Sequence, residues 1–447
     1  MEDRTQQMGG VASGGGPADR TVNLGAADPA RTAIGVPIRA LDLEVLCGNR
    51  YANATALSRE HLLLILRSSG AALGRRMPLN LCLVIDRSGS MEGEPLDYVK
   101  RACGYVVDLL EPTDVLSIVT FEEQVEVVMP ARRVVNRALI KEHVQRIQPG
   151  NTTNLYDGIA AGGAQILSAP MPGVLQRLLL LTDGEPTAGI KDFASIVQQV
   201  GDLRQRGISV TALGFGGEYN EELMAGIARR SGGNYYYIQQ PSQIPEVFRR
   251  EMETLMTTTA RGVRVRLRTP SGVRARYVYG VASPQFGARS VEYALPDVER
   301  GGTIANLVEL EFDRHVPGVY RVARADVAYD DIVTNRPEAL TGDCLIEFTR
   351  DTDLVAGGVN GLVQRELQVH LASRNLERTI MGMRTQQLTA LGAVQELQRT
   401  QAILQQAGRT AQAGELEQAI QAVQQGGQAE KTLIGTVYTL EQGKQSR

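Results

Sequence analysis

The pattern of apolar and polar positions changes character along the chain. Between Met77 and about Thr257, short apolar runs without internal polar alternation recur between amphipathic stretches of helical length. Strands covered by helices on both faces of a parallel sheet read this way. Leu79 to Ile85, Val115 to Phe121, Leu178 to Thr182, Ile208 to Phe215 and Tyr235 to Ile238 are the predicted strands. Helices fit between them at Pro95 to Leu110, Arg137 to Ile147, Leu155 to Leu167, Asp192 to Arg206, Glu221 to Arg230 and Ile244 to Met256. Glu123 to Val128 follows its strand too closely for a crossover and is read as an antiparallel edge hairpin.

After Arg261 the period falls to two: Val263, Val265 and Leu267 alternate with Arg264, Arg266 and Arg268, as in half-buried antiparallel strands. Similar alternation covers Val273 to Tyr279, Leu307 to Phe312, Val319 to Tyr329 and Leu345 to Phe348. Two more strand candidates, Ile38 to Leu46 and His61 to Arg67, precede the α/β segment and need a sheet to join. Together these predict a doubly wound, mostly parallel α/β sheet inserted in an antiparallel β-sandwich. From about Leu354, helix formers dominate. Leu388, Leu391, Val394 and Leu397, then Leu416, Ala419, Ile420 and Val423, recur at helical spacing, which predicts a helical hairpin or small bundle with a turn near Gly408 to Gly414 and a break around Gln424 to Gln428. The expected division is 1–34, a disordered arm rich in Gly and small polar residues; 35–76, the first sandwich strands; 77–257, the α/β domain; 258–352, the remaining sandwich; and 353–447, the helical region.

Composition narrows the function. A net charge of −3 over 447 residues gives no general reason to expect a nucleic-acid or membrane partner. No apolar run approaches the ~20 residues that span a bilayer, and no signal-peptide pattern opens the chain, so a cytoplasmic protein is expected. Of four cysteines, Cys82, Cys103 and Cys344 sit in apolar runs as small hydrophobes and Cys47 stands apart. Without C-x-x-C spacing, neither a disulfide framework nor a zinc site is expected, and a reducing compartment is the default. His61, His143, His315 and His370 lie far apart with no metal-ligand spacing. Gly214-Phe215-Gly216-Gly217 lacks the full dinucleotide pattern and reads as a turn ending a strand. The arginines at 264, 266, 268, 274 and 276 read as one solvated strand face paired with Glu309 and Glu311 across the sandwich. Tyr235-Tyr236-Tyr237 reads as the last core strand, not a stacking platform.

One constellation carries chemistry. The first buried strand ends in Asp86-Arg87-Ser88-Gly89-Ser90, so a carboxylate and two hydroxyls alternate on a turn at the carboxyl end of a sheet strand, where open α/β sheets place ligands. Thr152-Thr153-Asn154 opens a helix after Gly150, and Thr182-Asp183-Gly184 ends another strand at the same rim. Three distant loops thus bring two carboxylates and three hydroxyls to one edge. Convergent oxygens suit a hard divalent cation such as Mg²⁺, which takes oxygen ligands at ~2.1 Å and retains waters.

Asp86-x-Ser88-x-Ser90, Thr153 and Thr182-Asp183-Gly184 resemble the metal-ion-dependent adhesion site of von Willebrand factor type A domains, and the resemblance covers Met77 to about Thr257. It implies that Ser88, Ser90 and Thr153 ligate the metal directly, while Asp86 and Asp183 act largely through water and hydrogen bonds. Asn151-Thr152 stands where glycine is commoner in the family, leaving Thr152 and Thr153 both open as the ligand; Thr153-Asn154-Leu155 fits the pattern better. The flanking strands and helical tail resemble multidomain bacterial members. An ion with few charged ligands keeps much of its charge, so the resemblance implies a scaffold that grips an Asp or Glu of a protein partner through Mg²⁺, with Mn²⁺ or Ca²⁺ as alternatives. Companions of AAA+ ATPases or of signalling complexes are partners the resemblance suggests; nucleic acid and membrane are not. The competing readings are a metal-assisted hydrolase, for which Glu185 is the spare carboxylate near the site, and a structural oligomer with a vestigial site.

Overall fold

The computed structural model describes residues 39–70, 76–171, 173–217, 219–427 and 429–445; the expected arm at 1–34 lies outside them. Three strands open the described chain: β1 (Leu41–Cys47), β2 (Tyr51–Asn53) and β3 (Ser58–Ser68). The α/β segment follows as β4 (Leu79–Asp86), α1 (Glu94–Leu109), β5 (Val115–Phe121), β6 (Val125–Arg133), α2 (Arg137–Gln145), α3 (Leu155–Ser168) and β7 (Leu175–Thr182). It continues through α4 (Phe193–Gln205), β8 (Ile208–Phe215), α5 (Glu221–Ser231), β9 (Tyr235–Ile238) and α6 (Ile244–Thr257). Next come β10 (Thr258–Arg268), β11 (Val273–Val278), β12 (Gln285–Phe286), β13 (Ser290–Ala294), β14 (Val298–Glu299), β15 (Thr303–Phe312), β16 (Gly318–Asp331) and β17 (Arg336–Thr349). The tail is α7 (Thr352–Gly357), α8 (Gly361–Arg384), α9 (Ala390–Gln406), α10 (Thr410–Gln424), α11 (Glu430–Glu441) and β18 (Lys444–Gln445).

The α/β sheet runs β6-β5-β4-β7-β8-β9, parallel except where β6 turns back antiparallel on β5. All eight residues of β4 are buried. Its alternate side chains feed two cores: Leu79, Leu81, Leu83 and Ile85 face α1, α2 and α6, while Cys82 and Val84 face α3, α4 and α5. That two-sided burial is why the strand shows no polar alternation. Helix α3 lies close against this sheet because Gly158 and Gly162 face it; a Cβ at Gly162 would stand 2.5 Å from Val84 Cγ2. Its entry loop is thereby drawn to the sheet rim.

The strands before and after this segment close into two sheets, β1-β3-β15-β11 and β12-β13-β10-β16-β17-β2, around one shared core. The chain leaves the first sheet after β3 and re-enters the sandwich after α6 through β10 of the second sheet, so the α/β domain is inserted in the sandwich, as the patterning implied. Strand β3 is buried on both faces: Leu62, Leu64 and Leu66 enter the sandwich core, and Leu63 and Ile65 pack with Val363 of α8. Among the described residues no helix is long and apolar enough to cross a membrane.

Three expectations are corrected. Cys344 is not a free thiol, because it is bonded to Cys47 across a sequence separation of 297 residues, with the Cα atoms 6.4 Å apart. Local spacing rules are blind to pairs that only the sandwich brings together; Cys82 and Cys103 are buried and free. The arginine row is split between the sheets. Arg266 pairs with Glu292 at 3.0 Å and Arg268 with Asp326 at 2.6 Å; of the row, Arg274 and Arg276 reach Glu311, which Arg59 also contacts at 3.2 Å. In the tail, Leu388 precedes α9 and Leu391 is 70% exposed, so the buried stripe is Ala393, Val394, Leu397 and Leu404.

The cysteines give a direct check. Peptide mapping without reductant should find Cys47 linked to Cys344, with Cys82 and Cys103 unreactive toward alkylating reagents in the folded protein, since burial pushes each of those thiols up to about 12. Recovery of alkylated Cys47 and Cys344 from protein prepared without reductant would contradict the bridge.

Candidate metal centre

Three loops at the carboxyl ends of β4 and β7 and the N-terminus of α3 meet at one point. Asp86, the last residue of β4, is fully buried. Its Oδ1 accepts the Ser88 backbone N–H at 2.8 Å and its Oδ2 accepts the Thr182 hydroxyl at 2.5 Å. The carboxylate is therefore fixed from both sides by the turn it begins and by the neighbouring strand. The Ser90 hydroxyl donates to Asp183 Oδ1 at 2.8 Å, the Ser88 hydroxyl reaches the same oxygen at 3.5 Å, and the two serine oxygens lie 3.2 Å apart.

Thr153 completes the group. It is 4% exposed, and a Cβ built on Gly184 would lie 3.6 Å from its Oγ1, which sets the hydroxyl beside the Asp183-Gly184 turn. Its backbone is held twice by the following loop: its N–H donates to Thr187 Oγ1 at 2.9 Å, and its carbonyl accepts from the N–H groups of Thr187 and Ala188. Thr153 lines the cavity above the site, whereas the Thr152 hydroxyl is buried without a hydrogen-bond partner and does not line it. The structure thus brings Asp86, Ser88, Ser90, Thr153 and Asp183 together, with Thr152 off the cavity lining.

A supporting layer escaped the sequence reading. Glu122, just beyond β5, pairs with Arg87 at 3.3 Å, and its carbonyl accepts the Asn154 N–H at 2.8 Å. Arg87 in turn accepts the Gly150 N–H on its carbonyl at 2.5 Å and donates from Nη1 to the Gln148 carbonyl at 3.3 Å. This pair ties the Ser88 turn to the Thr153 loop. Nothing in the local sequence marks it, because Arg87 and Glu122 are 35 positions apart. Tyr219, Arg384, Glu430 and Lys431 also line the cavity, the last three contributed by the helical tail.

The electrostatics are those of a site short of positive charge. Burial pushes the Asp86 carboxyl up to about 7, against hydrogen bonds from Thr182 and Ser88 that favour ionisation; the nearby Asp183 adds to the rise. Burial raises Asp183 as well. Among the described residues neither carboxyl forms an ion pair with a Lys, Arg or His; the partners are Ser88, Ser90 and Thr182. Among the described residues no three His, Cys, Asp or Glu side chains converge, so hydroxyls make up the rest of the oxygen set. Two buried carboxyls lacking a counter-charge, with two serine hydroxyls on one of them and a threonine hydroxyl alongside, fit a hard divalent cation. Ser88, Ser90 and Thr153 would offer it hydroxyl oxygens, and Asp86 and Asp183 the compensating charge.

Comparisons with known proteins bear on the fold that carries these loops. Residues 80–250 match the von Willebrand factor type A domain. An uncharacterized protein of Synechocystis sp. is 28% identical over 311 residues, which cover 67% of this chain and 73% of that protein. The uncharacterized protein YfbK of Escherichia coli is 30% identical over 190 residues, 42% of this chain, and the match spans only 33% of YfbK. Among solved structures, a von Willebrand factor type A protein from Catenulispora acidiphila superposes with a TM-score of 0.72 at 19% identity, covering 86% of this chain and 90% of its own. The ArnB paralog VWA2 from Sulfolobus acidocaldarius does so with a TM-score of 0.65 at 16% identity, covering 90% and 98%. Both cover far more than the α/β segment, so the shared fold includes the flanking elements.

The raised Asp86 fixes the sign of a pH experiment. Its folded value lies above its unfolded one, so its contribution to metal-free stability is complete near pH 4 and is lost as pH rises through about 7. A divalent ion favours the ionised carboxylate. The rise in melting temperature on adding Mg²⁺ should therefore grow as pH increases through about 7 and be slight at about pH 5. Where Mg²⁺ stands ~100-fold above its dissociation constant, the gain corresponds to about 2.7 kcal/mol. Scanning calorimetry across that range checks it, and a shift independent of pH would contradict the assignment of Asp86.

Proposed function

Since residues 80–250 form a von Willebrand factor type A domain, we propose that this chain is a metal-dependent protein-interaction module. Mg²⁺ held by Ser88, Ser90 and Thr153, and balanced by Asp86 and Asp183, accepts an Asp or Glu side chain of a protein partner. The observation that carries this reading is the pair of buried, uncompensated carboxyls beneath a ring of hydroxyls that opens into a cavity of about 650 Å³. Hydroxyl ligands bring no charge of their own, so the ion retains a strong attraction for one more anion. The cavity is large enough to admit a side chain together with neighbouring backbone. The sandwich and the tail serve as the scaffold that presents the site.

The test uses the full chain. Immobilised protein should retain a partner from extracts of its host in Mg²⁺ and release it in EDTA. Asp86→Ala should lower that retention by about tenfold or more, the equivalent of 1.4 kcal/mol; Asp86→Asn, which keeps the side-chain volume and an acceptor for the buried donors, should lower it as well while its circular dichroism stays close to the parent's. Equal retention by Asp86→Ala, with and without EDTA, would overturn the proposal.

A further inference from the structure

The cavity that begins at Ser88, Ser90 and Thr153 ends on a wall built by the C-terminal helices. Arg384, the last residue of α8, and Lys431, near the start of α11, converge there on Glu221, the first residue of α5. Arg384 Nη2 lies 2.5 Å from Glu221 Oε1, and Lys431 Nζ lies 3.3 Å from Oε2. Arg384 also pairs with Glu222, a largely exposed residue. Lys431 donates to the Tyr219 carbonyl at 2.7 Å and stands 4.0 Å above the centre of that residue's ring.

These contacts hold two cations on one wall without exhausting them. A guanidinium has five N–H donors, and the bonds to Glu221 and Glu222 use one from each of two nitrogens. The two cations share Glu221, while Glu222 faces mostly solvent, where pairing is weak. Lys431, with 11% of its side chain exposed, is shielded from such screening. A ligand whose carboxylate sits on the ion therefore extends toward donors with capacity to spare.

We propose that the partner segment carries two acidic side chains, one for the ion and a second for Arg384 and Lys431. This rests on the reading that the ion takes a partner carboxylate. The tail is then half of the recognition surface and not merely a support. Glu185 and Glu430 also line the cavity. They repel further negative charge, so the preference is for a pair of acids over a long acidic run.

Fluorescence anisotropy on the full chain tests this with labelled glycine-rich peptides carrying one aspartate, two aspartates at varied spacings, or an unbroken aspartate run. In Mg²⁺ the best two-aspartate peptide should bind about fivefold more tightly than the one-aspartate peptide, and the run no better than the pair. The double variant Arg384→Gln, Lys431→Gln should erase that advantage, so that the one- and two-aspartate peptides bind it alike, while the Mg²⁺-induced melting shift persists. Arg384→Lys alone should keep most of it, which separates loss of charge from loosening of the tail. If the one-aspartate peptide binds in a Mg²⁺-dependent way and the second aspartate adds nothing, or if the double variant leaves the advantage intact, the bipartite site is wrong while the ion reading stands. If no peptide binds in Mg²⁺, both fail together.

Discussion

Two carboxyl groups, Asp86 and Asp183, are buried at the rim of a parallel sheet with no ion-pair partner among the described residues, and the arrangement of the surrounding loops follows from that constraint. Burying charge without compensation is costly, and a protein can answer by protonating the group, by surrounding it with hydrogen-bond donors or by admitting a cation. Here the donors are visible and burial favours protonation. Burial pushes the Asp86 carboxyl up to about 7, and among the described residues Thr182, Ser88 and Ser90 supply the hydrogen bonds to the two carboxyls. The third answer is the one that the hydroxyl set and the cavity above it favour. Arg87, in the turn after Asp86, is matched by Glu122.

The architecture keeps those loops in register. A parallel sheet aligns the ends of β4 and β7 as neighbours, which sets Asp86 beside Thr182. Glycines on α3 let that helix lie close to the sheet and bring Thr153 to the same rim. The tail then reaches back over the edge. Tyr438 of α11 joins the core between the sheet and its helices, and its hydroxyl donates to the Gly233 carbonyl at 2.5 Å. With β18 paired to β15, the end of the described chain is tied both to the α/β domain and to the sandwich.

Much of this was legible in the residues, and the parts that were not share a cause. The buried strands of the α/β sheet announced themselves as unbroken apolar runs, and β10 as strict alternation with arginine, because burial on two faces and on one face leave different periods. The five residues proposed for the site could be picked out because each sits at or just beyond the end of a recognisable element. What the sequence concealed depends on contacts between distant segments: the Cys47–Cys344 bond, the Arg87–Glu122 pair and the approach of Arg384 and Lys431 to the cavity. None has a local signature. Leu391 misled for the opposite reason, since it fits a helical stripe but lies on the solvent side of α9.

The central claim is that one divalent ion is held by the oxygens of three loops. Crystals grown with Mn²⁺ and measured at its absorption edge test that most directly. The account predicts a single strong anomalous peak in contact with the hydroxyl oxygens of Ser88, Ser90 and Thr153, abolished in Asp86→Ala. A peak on another set of residues, or none at this rim at saturating Mn²⁺, would contradict it.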